Sequence, residues 1–341
     1  MASGQNSVPR SPIGEPPPII RGKPGEPDSI EAHRTRELKW MSLISQVPAS
    51  QARKNKKIKK LIMEGVPSSV RYLVWAHLTD SKARGMPGIY VQLGKRERVQ
   101  AFQAIERDAQ KCYPDQPQLQ TSQGTLVALL QSYLTMVPDI HYETAGLAYI
   151  AGRLLILAPD EDAFWIFTSL MDLYLRPWFS VNTSQMEVDG SLFSKALEAN
   201  DPPVSKKLYV DLGISQTAVC RPWLSSLFAE SLPVEYLHRI WDIFLYEGVP
   251  FLFRIGMAIV HCCRHYMLSS TSEAAALEVL VHPPAACLPP NPEVFITLAN
   301  SFKLKDDDVR KQRIKMEAQV KRQTQIRTVS TPGAPISLPK A

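Results

Sequence analysis

Three short stretches hold the side chains whose type and spacing could carry chemistry. In IERDAQK (105–111) an acid, Asp108, stands three residues before a cation, Lys111. On a helix that spacing puts both on one face and allows an ion pair between them. Cys112 follows directly, and a neighbouring ammonium can stabilise a thiolate. No histidine at a recognisable spacing offers itself as a base, so a buried core cysteine is the preferred reading. In HCCRH (261–265) His261 and His265 lie one turn apart around two cysteines. No other element supplies a third ligand, so core cysteines with helix-flanking histidines are expected rather than a metal centre. The third stretch, VPDIHYETAG (137–146), gathers Tyr142, Glu143, Thr144 and Ala145 just before a glycine. No G-x-S-x-G elbow marks a nucleophilic serine. A Walker A loop and a dinucleotide glycine pattern are also absent, so the chain itself is expected to bind no nucleotide and no cofactor.

The elements that must hold these residues read as helices. AFWIFTSLMDLYL (163–175) places Phe164, Phe167, Leu170, Met171 and Tyr174 on one stripe at three-to-four spacing. SLPVEYLHRIWDIFLYEG (231–248) has Pro233 near a helix start and Gly248 just past its end, with Val234, Leu237, Ile240, Trp241 and Phe244 between them as the inward stripe. No sustained period-two alternation, βαβ rhythm or solenoid repeat occurs. The fold class is all-α, a multi-helix domain in one or two lobes with disordered termini. Residues 1–30 form a Pro-rich segment that includes a PRSP match to PxxP ligands, and residues 31–60 a basic helical lead-in. Residues 61–300 form the folded domain, and 301–341 an exposed, frayed, charged helix followed by a Pro/Ser-rich tail.

Composition narrows the class further. The chain has 341 residues, 45% of them hydrophobic, enough for a sizeable core. Five cysteines without regular spacing, and no charged start followed by an apolar stretch, predict a reduced cytoplasmic setting without a signal peptide. The most apolar run, VPFLFRIGMAIVHCCRHYML (249–268), is interrupted by Arg254, Arg264 and two histidines, so it reads as a buried helix and not a transmembrane segment. The net charge of +6 equals the six cations of QARKNKKIKK (51–60), namely Arg53, Lys54, Lys56, Lys57, Lys59 and Lys60. The rest of the chain is therefore neutral, which argues against a nucleic-acid binder. Residues 53–60 read either as a peripheral contact to anionic endomembranes or as a solvated helix face, and the solvated face is preferred.

Four blocks in order give a family resemblance. GVPSSVRYLVWAHLTD (65–80) resembles the G-[IV]-P-x-x-x-R-x-x-x-W opening of TBC domains, and IERDAQK resembles their I-x-x-D-x-x-R. VPDIHYETAG resembles N-P-x-x-x-Y-x-Q-G, and PWLSSLFAESLPVEYLHRIWDIFLYEGVPFLFRIGMAIV (222–260) resembles the W-x-x-x-L-F…R-I-W-D…G…L-F block. The resemblance spans roughly residues 60–265 and implies a Rab-type small GTPase as partner, with GTP and Mg²⁺ belonging to that partner. It also implies two groups donated in trans: an arginine finger that neutralises charge on the transferring phosphoryl group, and a glutamine that orients the attacking water. An arginine finger contributes about 10³–10⁵ in rate.

Both positions depart from that pattern. The arginine position falls on Lys111, a hydrated point charge without the planar fork. The glutamine position falls on Thr144 counted from Tyr142, or on Ala145 counted back from Gly146, and neither side chain replaces an amide. Glu143 would repel a triphosphate, and Arg107, one turn before Lys111, is a poor substitute. Asp108 matches the acid that supports the finger, while Arg71, Trp75 and Tyr142 match partner-side or helix-locking positions. Trp223, Ile240, Trp241 and Asp242 read as packing residues. The resemblance therefore implies a regulator of Rab-type GTPases in membrane trafficking with weak or absent catalysis, an adaptor by binding. The alternatives are an active GTPase activator using Lys111 with the GTPase's own glutamine, and a helical scaffold without Rab binding.

Overall fold

In the computed structural model, residues 27–121, 124–180, 184–304, 307–315 and 318 are described. The longer helices are α1 (Pro27–Gln46), α2 (Lys56–Glu64), α3 (Arg71–Leu78), α4 (Phe102–Cys112), α5 (Thr125–Met136), α6 (Gly146–Leu157) and α7 (Asp160–Leu170). They continue with α8 (Gln185–Asn200), α9 (Gln216–Ser226), α10 (Val234–Glu247), α11 (Val249–Cys262), α12 (Glu273–Val281), α13 (Pro292–Ser301) and α14 (307–315). Short helical turns join them. Among the described residues the only β pairing is a bridge between Ile140 and Ser180.

Local chemistry sets many of the boundaries. The Asn55 side chain accepts from the backbone N–H groups of Lys57 (2.8 Å) and Ile58 (3.2 Å) and so caps α2, which ends at Gly65 with φ 108°. Helix α10 starts directly after Pro233 and stops at Gly248, whose φ of 86° favours glycine. Asp160, Glu161 and Asp162 occupy the first turn of α7, where their charge complements the helix dipole. That helix runs on into a π-turn at Met171–Leu175, and the whole expected stripe from Phe164 to Tyr174 is buried.

The lobes considered from sequence share one core, a continuous cluster of buried apolar side chains running from Trp40 to Val309. Within it α8 packs on α9, and α6 packs on α4, α5, α7 and α9. Helix α10 packs on α2, α3, α11 and α13. The 249–268 run forms α11, buried along 249–260, followed by a break at Cys263 and a short helix. No helix among the described residues is long and apolar enough to cross a membrane.

Two divisions read from sequence shift. The lead-in cannot be cut at residue 60, because α2 runs through that point with Ile58 and Ile62 both in the core, and α1 already begins at Pro27. The charged helix expected to lie free is docked: Val309 is buried, and Arg310 and Arg313 bond to the domain. Its mixed charge points to an exposed helix, but the two long-range partners of its arginines lie more than sixty residues upstream. The segments 1–26 and 319–341 lie outside the described residues.

Candidate functional site

Helix α4 presents Ile105, Ala109 and Cys112 inward and leaves Arg107 and Lys111 exposed. Lys111 lies in the last turn, where a cation complements the helix dipole. The expected pair between Asp108 and Lys111 does not form; among the described residues Lys111 makes no ion pair. Asp108 instead accepts a hydrogen bond of 2.9 Å from the Tyr142 hydroxyl, a residue 34 positions away. Burial, then the negative charge of Asp108, pushes the Tyr142 phenol far above its ordinary range, so it stays protonated and keeps donating. One hydrogen bond thus ties the helix that carries Lys111 to the loop that carries Thr144.

Arg107 turns back along its own helix, with its Nε donating to the Gln103 carbonyl (3.3 Å). Cys112 is a core thiol, pushed up to about 12 by burial first and then by Asp108 and Glu230. It is therefore no activated nucleophile at neutral pH. The described residues contain no group of three or more His, Cys, Asp or Glu placed to hold a metal ion.

The loop 141–145 opens on a polar cleft of about 330 Å³. Its walls include His141, Glu143, Thr144, Trp178, Glu187 and Arg221. Thr144 is exposed in the cleft, whereas Ala145 packs against the core at the start of α6. Of the two candidate glutamine positions, Thr144 is the one that reaches the cleft. His141 Nδ1 lies 3.3 Å from Glu143 Oε1. The next residue, Gly146, is where α6 meets α9: a Cβ there would sit 2.4 Å from the Ser225 carbonyl oxygen and 2.7 Å from its carbon. Backbone atoms cannot swing aside as a flexible side chain can, so Gly146→Ala is expected to cost about 1–3 kcal/mol. The urea midpoint measures this, and a loss under about 0.5 kcal/mol would show that the helices part easily.

Arg71 and Trp75 are placed to lock neighbouring helices. Trp75 is fully buried and its Nε1 donates to Asp242 Oδ1 at 2.8 Å. Arg71 Nε donates to the same oxygen at 3.3 Å and its Nη2 to the Val66 carbonyl at 2.6 Å. Arg239 completes the knot, 3.6 Å from Asp242 Oδ2 and donating to the Ile62 carbonyl at 2.9 Å. Burial pushes Asp242 up to about 6 against the opposing pull of Arg71, Trp75 and Arg239, and burial drives the adjacent His238 down to about 3. Trp223 and Trp241 are buried and donate to the carbonyls of Leu280 and Leu227, both at 2.9 Å.

The basic run is partly occupied. Arg53 stacks 5.3 Å from the Tyr174 ring centroid and donates to the Tyr246 carbonyl. Lys59 pairs with Glu247 and Lys60 with Glu64. Lys54, Lys56 and Lys57 remain exposed. Among the cleft residues, Trp178, Glu187 and Arg221 carry no signal in the sequence that marks them. They sit outside any motif; the 176–180 segment brings Trp178 to the loop, and α8 and α9 bring Glu187 and Arg221.

The described residues form an all-helical domain in which Asp108 and Tyr142 join the Lys111 helix to the loop that enters the polar cleft. The Rab-GTPase-TBC domain model matches residues 68–268, and the chain belongs to the RabGAP-TBC family, whose domains are Rab GTPase activators. It is 28% identical to mouse Carabin over 302 residues, 84% of this chain and 67% of Carabin. It is 29% identical to human TBC1 domain family member 10B over 238 residues, which is 68% of this chain but 29% of that protein. Among solved structures, the Chlamydomonas flagellar RabGAP TBC domain superposes with a TM-score of 0.63 at 24% identity, covering 83% of this chain and 97% of that one. The Ypt/Rab-GAP domain of Gyp1p gives 0.61 at 14% identity, covering 79% and 97%. At such identities these two structures establish the shared fold.

Proposed function

We propose that this chain regulates a Rab-type small GTPase in membrane trafficking mainly by binding it, with weak or absent stimulation of GTP hydrolysis. The observation that carries the reading is an intact support beside two altered letters. Asp108 and Tyr142 are bonded to each other, yet lysine and threonine occupy the positions where the family resemblance implies arginine and glutamine. A lysine keeps the charge but offers no planar fork for two phosphoryl oxygens. A threonine hydroxyl is shorter than a glutamine amide and carries a single donor. GTP and Mg²⁺ belong to the partner.

A second reading, an active GTPase activator, is favoured by the exposure of Lys111 and its lack of an ion-pair partner among the described residues. Part of a finger's effect is Coulombic, and a free ammonium retains that part. Peripheral contact with endomembranes through 53–60 is the weaker component of the proposal, because Arg53, Lys59 and Lys60 already have protein partners.

GTP hydrolysis by a panel of Rab proteins, with and without excess protein, separates the readings. Stimulation below about tenfold is expected, and Lys111→Ala should change it little; stimulation above about 10³-fold that Lys111→Ala abolishes would establish the active reading instead. Failure of every GTP-loaded Rab to bind would leave only a scaffold.

A further inference from the structure

Helix α14 lies outside the family-matched span 68–268, yet its Arg313 reaches a fully buried carboxylate of the domain. Asp189, in α8, has no solvent exposure. Arg313 grips it with two bonds, Nε to Oδ1 at 2.7 Å and Nη2 to Oδ2 at 2.9 Å. Such a bidentate pair fixes both distance and orientation. The remaining donors to Asp189 among the described residues are Gln185 Nε2 (3.2 Å) and the Trp178 indole Nε1 (2.7 Å). Trp178 is itself a wall of the cleft that holds Glu143 and Thr144. The next residue, Phe179, accepts a 3.0 Å hydrogen bond from the backbone N–H of His141, beside the Ile140–Ser180 bridge. An unbroken series of bonds therefore runs from α14 through Asp189 and the 178–179 segment into the loop 140–145.

We propose that Arg313 is a positioning residue of the cleft: by holding Asp189 and, through it, Trp178, helix α14 sets the geometry of the loop that carries Thr144. The link to partner binding rests on the proposed function, in which Thr144 stands at the glutamine position toward a bound GTPase. Asp189 is held above its usual carboxylate range by burial, with Arg313 the largest opposing influence, so the pair is unequal without its arginine. Val309, buried in the same helix, and Arg310, which donates to the Glu247 carbonyl at 3.0 Å, seat α14 so that Arg313 arrives in one orientation. Two roles are distinguishable. A purely stabilising arginine would matter only through the buried charge it neutralises, whereas a positioning arginine matters through where it holds the carboxylate.

Hydrogen exchange of the full chain separates them. In Arg313→Ala, amides in 140–146 and 176–180 are expected to exchange at least about tenfold faster, alongside a loss of thermal stability. Adding Asp189→Asn removes the uncompensated charge, so stability should recover while exchange of 140–146 stays fast. Unchanged exchange of the loop in Arg313→Ala, or its return to the native rate in the double variant, would overturn the proposal. Arg313→Lys, which keeps the charge without the fork, serves if the alanine variant fails to fold, and should also accelerate loop exchange. For a Rab protein that the native chain captures in its GTP-bound form, Arg313→Ala, or Arg313→Lys in its place, is expected to weaken affinity at least about fivefold. Equal affinity despite a loosened loop would overturn the link to binding. If the native chain captures no Rab protein, the functional reading fails, while the exchange result still decides the positioning role.

Discussion

Replacing Asp242 with alanine is expected to destabilise the domain by about 3–5 kcal/mol, read as a drop in the denaturant midpoint at unchanged slope. The carboxylate is fully buried and is shared by the Trp75 indole and the Arg71 guanidinium, with Arg239 paired to its second oxygen. Its removal leaves the nearly buried Arg71 guanidinium without a carboxylate partner among the described residues and one indole N–H without its acceptor, while Arg239 keeps its pair with Glu293. That loss is a large share of the total stability of a typical domain, about 5–15 kcal/mol. Asp242→Asn keeps an acceptor for Trp75 and should cost less than Asp242→Ala, a difference that isolates the charge from the hydrogen bond. A loss below about 1 kcal/mol for the alanine variant would mean that water or rearranged arginines replace the carboxylate, and that Arg71 and Trp75 are not the locks described.

The largest functional change is expected from restoring both altered letters together. Lys111→Arg alone supplies the fork but leaves the water without an amide to orient it, and Thr144→Gln alone leaves the phosphoryl charge to an ammonium. Each single variant should stay within about tenfold of the native chain, while the double variant should exceed it at least about hundredfold on a Rab protein that binds. The support for this expectation is the Asp108–Tyr142 bond, which already joins the finger helix to the loop, and the placement of Thr144, rather than Ala145, in the cleft. YETAG carries one residue more than the family's Y-x-Q-G, so the loop path is the competing determinant. A double variant no faster than the native chain would assign the proposed weak catalysis to that path.

The helices were legible in the sequence because their signals are local. The stripe of Phe164, Phe167, Leu170, Met171 and Tyr174, and the Pro233 and Gly248 boundaries of α10, depend only on a period of 3.6 and on two residues with restricted or permissive backbones. The family, too, was legible, since its motifs are short strings in a fixed order. The side-chain partnerships were not. Asp108 was expected to pair with Lys111 three residues away, yet it bonds Tyr142 across 34 residues. A loop folded against α4 brings a neutral, half-buried donor to Asp108, while Lys111 is exposed to solvent, where its hydration competes with any pair. The same distance effect hid the roles of Trp75, joined to Asp242 across 167 residues, and of Arg313, joined to Asp189 across 124. Sequence thus determined which segments are helical, which faces are apolar and which family the motifs resemble. Tertiary structure alone decided which charges are buried together, because the desolvation that makes Asp242 and Asp189 demand partners arises only once distant helices exclude water from them.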